Sequence, residues 1–251
     1  MLGRRTLILI PHPDDEVVGC CAAILRARQS GAAVFGAYLT TGVPARDVLW
    51  PWDRHGHSQR VSLRRQEAHR AAELLGIEPL FFHDVPTRQL RLNLGPVREL
   101  LLQHARRVHA DSLWVPAYEG GHQDHDTANF VASTISKDFA VWEFSEYNFA
   151  GGKVRSQEFL APKGTEQEFL LSEDEKRLKE KALALYASER GNLSYVRSER
   201  EVFRPLAAYD YSQPPHSGKL FYQRFQWVPG HPRVDYTKPE EVCRSLSDFT
   251  A

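Results

Sequence analysis

Between Leu7 and Phe144 the chain alternates short apolar runs with longer amphipathic stretches, and this rhythm restricts the fold more than any other feature. Leu7 to Ile10 reads as a buried strand, and Val17 to Gln29 as a helix ended by Gly31. Ala33 to Leu39 is a second strand. Ser58 to Leu75 is a helix closed by Gly76, with Ala68, Ala71, Ala72 and Leu75 on one face. Strands over Leu80 to Phe82, Leu113 to Val115 and Phe139 to Phe144 follow, separated by helices over Val97 to Val108 and Thr127 to Ser136. Strands that alternate with helices predict an α/β fold: a Rossmann-like, doubly wound, mostly parallel sheet with helices on both faces.

Beyond this stretch the text changes. Ser172 and Glu175 stand at capping-box spacing, and open a helix in which Leu178, Ala182, Leu185 and Tyr186 recur at helical intervals. After Pro205 aromatic residues and prolines dominate with little periodicity. This part reads as an extended aromatic segment wrapped over the body, since its rings would be stranded in water. Residues 1–251 are therefore taken as one domain, an α/β core over about 5–145 with the helix and tail of 146–251 laid on it.

Composition removes several function classes. Thirty-two Lys plus Arg balance 32 Asp plus Glu, so no bulk attraction to nucleic acid or an anionic membrane is expected. No apolar run approaches the length of a membrane span, and Leu7 to Ile10 is too short for a signal peptide. The 3 cysteines, two of them the neighbours Cys20 and Cys21, form no disulfide framework, which fits a reducing, cytoplasmic setting. Nothing in the sequence speaks for or against a homo-oligomer.

The loop after the first strand reads Pro11-His12-Pro13-Asp14-Asp15-Glu16. A dinucleotide-binding fold would place a glycine-rich turn here, to admit a pyrophosphate. One imidazole and three carboxylates repel phosphate and suit a divalent cation. The loop after the fourth strand, Gly120-Gly121-His122-Gln123-Asp124-His125-Asp126, again joins imidazole to carboxylate. In the common doubly wound order strands one and four are neighbours, so the two loops should face each other across one crevice. Two histidines and a carboxylate with an open fourth position make a recognised catalytic zinc arrangement.

The His12-Pro13-Asp14-Asp15-Glu16 and His122-x-Asp124-His125 segments resemble the two motifs of the PIG-L/LmbE deacetylase family. That family includes the N-acetylglucosaminyl-phosphatidylinositol deacetylases. The resemblance covers roughly residues 5–145. It implies that His12, Asp15 and His125 ligate one Zn2+ per chain, another divalent metal being an alternative, and that Asp14 is the general base. It further implies that His122 assists the oxyanion or the leaving amine, with Asp124 orienting a histidine. Arg64-x-x-Glu67 is similar to a family segment whose arginine reaches a sugar hydroxyl, and Asp84 follows the third strand, where relatives carry a sugar-binding aspartate. The stretch from Gly42 to His57 and the aromatic tail depart from the sugar deacetylases of the family and are expected to line the substrate pocket. Gly218 permits a turn that could aim His216 inward, although a tail that merely covers the body is the simpler reading for that residue.

Plainer readings exist for single residues. Asp14, Asp15 and Asp124 could cap helices, but that explains neither His12 nor His125. Arg64 could solvate a helix face and Asp84 could belong to a turn. The expected reaction is hydrolysis of an N-acyl, and specifically N-acetyl, amide on a small amino-sugar-containing substrate. Asp14 would take a proton from water and protonated His122 would stabilise the oxyanion. A two-metal phosphoesterase and a regulatory metal- or nucleotide-binding module without turnover are the rival readings.

Overall fold

A computed structural model describes residues 3–193, 195–232 and 234–250. The alternating elements form as β1 (Arg5–Ile10), α1 (Asp15–Gln29), β2 (Ala33–Tyr38), α2 (His57–Leu75), β3 (Glu78–Phe82), α3 (Leu94–Arg107), β4 (Ser112–Pro116), α4 (Gln123–Thr134) and β5 (Ala140–Phe144). A short ribbon of β6 (Tyr147–Asn148) and β7 (Arg155–Ser156) follows, then β8 (Gln167–Leu170), α5 (Glu173–Leu185), β9 (Arg200–Pro205) and α6 (Pro239–Ser247). The main sheet runs β3-β2-β1-β4-β5-β9-β8. Its first five strands are parallel, and β1 lies beside β4 as a doubly wound fold requires.

Side chains alternate across the sheet with period two, and so feed two cores. Leu7, Leu9, Leu113 and Val115 face α3, α4 and α6, whereas Ile8, Ile10 and Trp114 face α1, α2 and α5. Ser172 caps α5 as expected: Glu175 N–H donates to its hydroxyl, and the Glu175 carboxylate accepts from Ser172 N–H at 2.7 Å.

Three expectations need correction. Two strands, β8 and β9, extend the sheet antiparallel beyond β5. They are short and lie among polar residues, so their sequence carried no clear period. The aromatic tail is not wholly irregular either. It ends in α6, whose Val242, Cys243 and Leu246 are buried, while Glu240 and Glu241 stand in the first turn after Pro239. Lastly, α4 begins at Gln123 rather than Thr127, which puts Asp124 and His125 inside its first turn. The His122 side chain supplies the cap by accepting from Asp124 N–H at 3.0 Å, a role outside the usual Ser, Thr, Asp and Asn signals.

The helix that carries the first motif is broken. Cys20 leaves helical geometry (φ −146°, ψ 24°), which frees the Val18 carbonyl and the N–H groups of Ala22 and Ala23 from their ordinary partners. Buried groups from later in the chain complete them. Gln157 Nε2 and Lys179 Nζ each donate to Val18 O at 2.8 Å, and the Glu201 carboxylate accepts from Ala22 and Ala23 at 3.0 Å. Lys179 and Glu201 pair at 2.9 Å with both side chains fully enclosed. Gly19 beside the break permits a close approach, since a Cβ there would lie 2.3 Å from the Phe144 ring.

Candidate metal centre and active site

Both acid and imidazole loops leave the C-terminal ends of adjacent strands, β1 and β4, and meet across one crevice. His12 Nδ1 stands 3.1 Å from His125 Nε2 and 3.4 Å from Asp15 Oδ2. The triangle closes with His125 Nε2 to Asp15 Oδ1 at 3.2 Å. Zinc bonds of about 2.0–2.2 Å in tetrahedral array separate ligand atoms by about 3.3–3.6 Å, so these three side chains already have nearly the size of one face of such a site. All three are buried, and two nitrogens with one oxygen suit zinc. The donor set fits the implied metal.

Surrounding groups orient this triangle. Asp124 Oδ2 lies 3.0 Å from His12 Nε2 and accepts its hydrogen bond, which leaves Nδ1 as the nitrogen directed at the centre. Asp124 is itself fixed by Arg88 N–H at 2.6 Å, the Thr87 hydroxyl at 2.9 Å and Leu90 N–H at 3.2 Å. Thr87 Oγ1 also lies 2.9 Å from His12 Nε2. On the far side, Glu146 Oε2 stands 3.8 Å from His125 Nδ1. A second donor group, His12, His122 and Asp124, shares His12 with the first. Asp124 Oδ2 there already accepts from Arg88 N–H, the Thr87 hydroxyl and His12, so Asp124 is engaged in orienting His12.

The three consecutive carboxylates of the first loop point three ways. Asp15 turns to the imidazoles and also accepts from His12 N–H at 2.7 Å. Glu16 turns inward, accepting from Asp14 N–H at 3.1 Å and from the Tyr186 hydroxyl. Asp14 faces the crevice from a left-handed backbone (φ 131°, ψ −24°) that a non-glycine residue adopts only under constraint. Arg64 supplies that constraint, since its guanidinium donates to the Pro13 carbonyl and to Asp14 Oδ2 at 3.1 Å.

Charge in the cluster follows from burial and neighbours. Burial opposes a proton charge on His12, but the carboxylates of Asp15 and Asp124 outweigh it and push its pKa up to about 10. Burial likewise opposes charge on Asp15, yet His125 and His12 hold it well below the carboxylate range. Burial raises Asp14 well above its ordinary value, against the pull of Arg64. His122 is lowered well below its ordinary value by burial and by the neighbouring His12 charge. Because Asp124 N–H donates to His122 Nδ1, the proton of a neutral His122 sits on Nε2. Where a protonated His122 was expected, burial favours a neutral imidazole that can still donate one hydrogen bond from Nε2.

The centre forms the floor of a cleft of about 810 Å³. One wall comes from the Gly42 to His57 stretch through Val43, Leu49 and Trp50; another comes from the tail through Phe221, Tyr222, Phe225 and Val234. The tail therefore helps enclose the site, but His216 is not among the lining residues. Its Nδ1 instead lies 2.8 Å from the adjacent Ser217 carbonyl, because the turn through Gly218 carries it away from the cleft. Asp84 also misses the cleft: its side chain is 86% exposed and pairs with Arg65 at 3.0 Å. Arg64 reaches the wall, but it is committed to the Asp14 loop. Sequence reasoning passed over Thr87, Arg88 and Gln123. Gln123 lies between two motif residues and ties them to the tail, donating to Asp235 Oδ2 at 2.7 Å. Arg88 holds a left-handed backbone (φ 71°) and donates to the Pro232 and Val234 carbonyls at 3.0 and 3.1 Å. Only the position of Gln123 inside the motif could have signalled any of this.

A doubly wound α/β sheet thus carries at its switch point an imidazole–carboxylate cluster suited to a divalent metal. Residues 7–136 match the family model for GlcNAc-PI de-N-acetylase, and the chain belongs to that family. It is 29% identical over 133 residues to a diacetylchitobiose deacetylase of Thermococcus kodakarensis, a match over 51% of this chain and 47% of that protein. It is 32% identical over 137 residues to a 2'-N-acetylparomamine deacetylase of Streptomyces fradiae, over 48% of each chain. The chain thus spans about half the length of the curated relatives it matches. A solved deacetylase from the teicoplanin biosynthesis pathway shares the fold, with a TM-score of 0.66 and 17% identity over 82% of this chain and 99% of that one. Among the described residues, no helix is long and apolar enough to cross a membrane.

Proposed function

We propose that the chain is a zinc-dependent N-deacetylase that hydrolyses the N-acetyl amide of a small amino-sugar-containing molecule, releasing a free amine and acetate. The observation that carries this reading is the donor triangle of His12, Asp15 and His125 with the Asp14 carboxylate beside it in the cleft. Family membership and two relatives named for N-acetylated amino sugars support the substrate class.

Zinc, when bound, acts as a Lewis acid that makes water a nucleophile near neutral pH and polarises the amide carbonyl. Asp14 accepts the proton of the attacking water as the new C–O bond forms. Its burial makes it a stronger base than an exposed aspartate, and Arg64 keeps the carboxylate aimed. The neutral His122 donates from Nε2 to the carbonyl oxygen as that atom becomes anionic, an interaction whose removal costs about 3 kcal/mol of barrier. Asp14 then returns its proton to the nitrogen, the C–N bond breaks, and the amine leaves. Asp124 and Thr87 hold His12 throughout.

The test is release of free amine and acetate from N-acetylglucosamine conjugates by the purified chain, with one equivalent of zinc and after chelation. Amine release that zinc restores supports the proposal. Stoichiometric zinc without hydrolysis of any conjugate would sink it in favour of a binding module.

A further inference from the structure

The mouth of the cleft is apolar in a way that an amino sugar does not require. Of the large hydrophobic side chains left exposed among the described residues, only Leu92, Val154 and Leu170 lie away from two segments, 48–63 and 225–236. Both segments contribute to the cleft lining, the first through Leu49, Trp50 and Leu63 and the second through Phe225, His231 and Val234, while Trp52 and Trp227 flank it. Trp52 is 69% exposed, Phe225 54% and Trp227 75%. Trp50 and Trp52 lie with ring centroids 5.2 Å apart, and Trp50 lines the cleft. In the same lining the Arg224 guanidinium lies 3.4 Å from the Phe221 centroid and 5.2 Å from that of Phe225.

The two segments meet beside the cleft. Trp50 Nε1 donates to the Gly230 carbonyl at 3.3 Å, and its ring meets His231 edge-on at 5.1 Å. An apolar patch that is concave, prearranged and continuous with a reactive floor marks a ligand subsite. Charge argues against a membrane surface as the occupant, because the cleft mixes Asp53 and Asp235 with Arg60 and Arg224 and presents no single-sign field.

We infer that this rim binds a flat apolar aglycone attached to the N-acetylated amino sugar, so that the preferred substrate is an aryl-type glycoside rather than a free or wholly polar sugar. This rests on the deacetylase reading, and it names as specificity-determining residues Phe225, in the lining, and Trp52, which flanks the cleft against the lining residue Trp50. Both side chains are more than half exposed, so replacing them removes little core packing.

The experiment compares N-acetylglucosamine with 4-methylumbelliferyl N-acetyl-β-D-glucosaminide, by kcat/KM on the parent chain and by calorimetric binding in an Asp14→Asn background. The umbelliferyl glycoside should be favoured by about tenfold or more, the value of one good aromatic contact. In the Trp52→Ser/Phe225→Ser variant the preference should fall to within about threefold of unity, with the melting temperature kept as a check on folding. The single Trp52→Ser variant serves if the double one melts early. Equal affinity for the two sugars, or a preference that survives the substitutions, overturns the inference. So does binding to phosphatidylcholine–phosphatidylinositol vesicles, or a self-association, that the double variant loses without any aryl preference in the parent. Absence of turnover on both sugars counts against the deacetylase reading alone, since calorimetry still judges the rim.

Discussion

The α/β part up to β5 and the chain beyond it contribute different things to one site. The first part supplies every group of the donor triangle and the Asp14 carboxylate proposed as base, all from the loops and first helical turns that follow β1 and β4. The second supplies no donor to the triangle. It provides one cleft wall, the groups that complete the broken helix α1, and the tie from Asp235 to Gln123. Under the proposed function, chemistry sits on the sheet whose geometry the doubly wound order enforces, and selectivity on segments held by long-range contacts. Such a division lets the wall change while the reactive floor stays.

Substitution tests whether that division is real, and the largest effects belong to the first part. His125→Ala should lose stoichiometric zinc in metal analysis and bring turnover to background, because no third strong donor remains. A variant that kept its zinc would move the centre elsewhere. Asp14→Asn should keep the metal while kcat drops by about 10²–10⁴-fold. An active Asp14→Asn enzyme would transfer the base to another group, and joint loss of metal and activity would exchange the roles of Asp14 and Asp15.

Effects from the second part should fall on stability and on binding. Glu201→Ala leaves Lys179 buried without its partner and the Ala22 and Ala23 N–H groups unpaired. It should cost about 3–5 kcal/mol in denaturant unfolding, and a loss under about 1 kcal/mol would show that the break in α1 does not depend on it. Asp235→Ala removes the acceptor of Gln123 and should lower kcat/KM about tenfold with zinc retained, most of it in KM. A pure kcat loss would place the tail in the chemistry itself.

The smallest effect separates scaffold from site altogether. Arg26 hydrogen bonds hold Glu175 down, against some burial, from 4.5 to about 2. A depressed carboxylate stabilises the fold above its unfolded pKa and loses that contribution as pH falls through the folded value. Glu175→Gln should therefore cost about 1–2 kcal/mol at pH 7, with the difference from the parent shrinking between pH 4.5 and about 2, and should leave kcat/KM alone. A constant difference across that window would remove the ion pair as the cause.

What the sequence determined by itself is the alternation of strands and helices up to β5 and the two loops that meet at its switch point. The continuous apolar run over Leu7 to Ile10 and period 3.6 over Ala68 to Leu75 are local signals, and adjacency of β1 and β4 follows from the common doubly wound order. His12, Asp15 and His125 were legible as neighbours because strand ends alone place their loops in one crevice, and the family resemblance singled them out as ligands. Tertiary structure alone decided the rest. Three neighbouring carboxylates take three directions because Arg64, Tyr186 and the imidazoles, up to 170 residues away, each claim one. His122 carries its proton on Nε2 because a backbone N–H caps its Nδ1. Asp84 and His216 leave the site, and Thr87 and Gln123 enter it, for the same reason: in a loop the direction of a side chain is set by distant partners, and no periodicity records them.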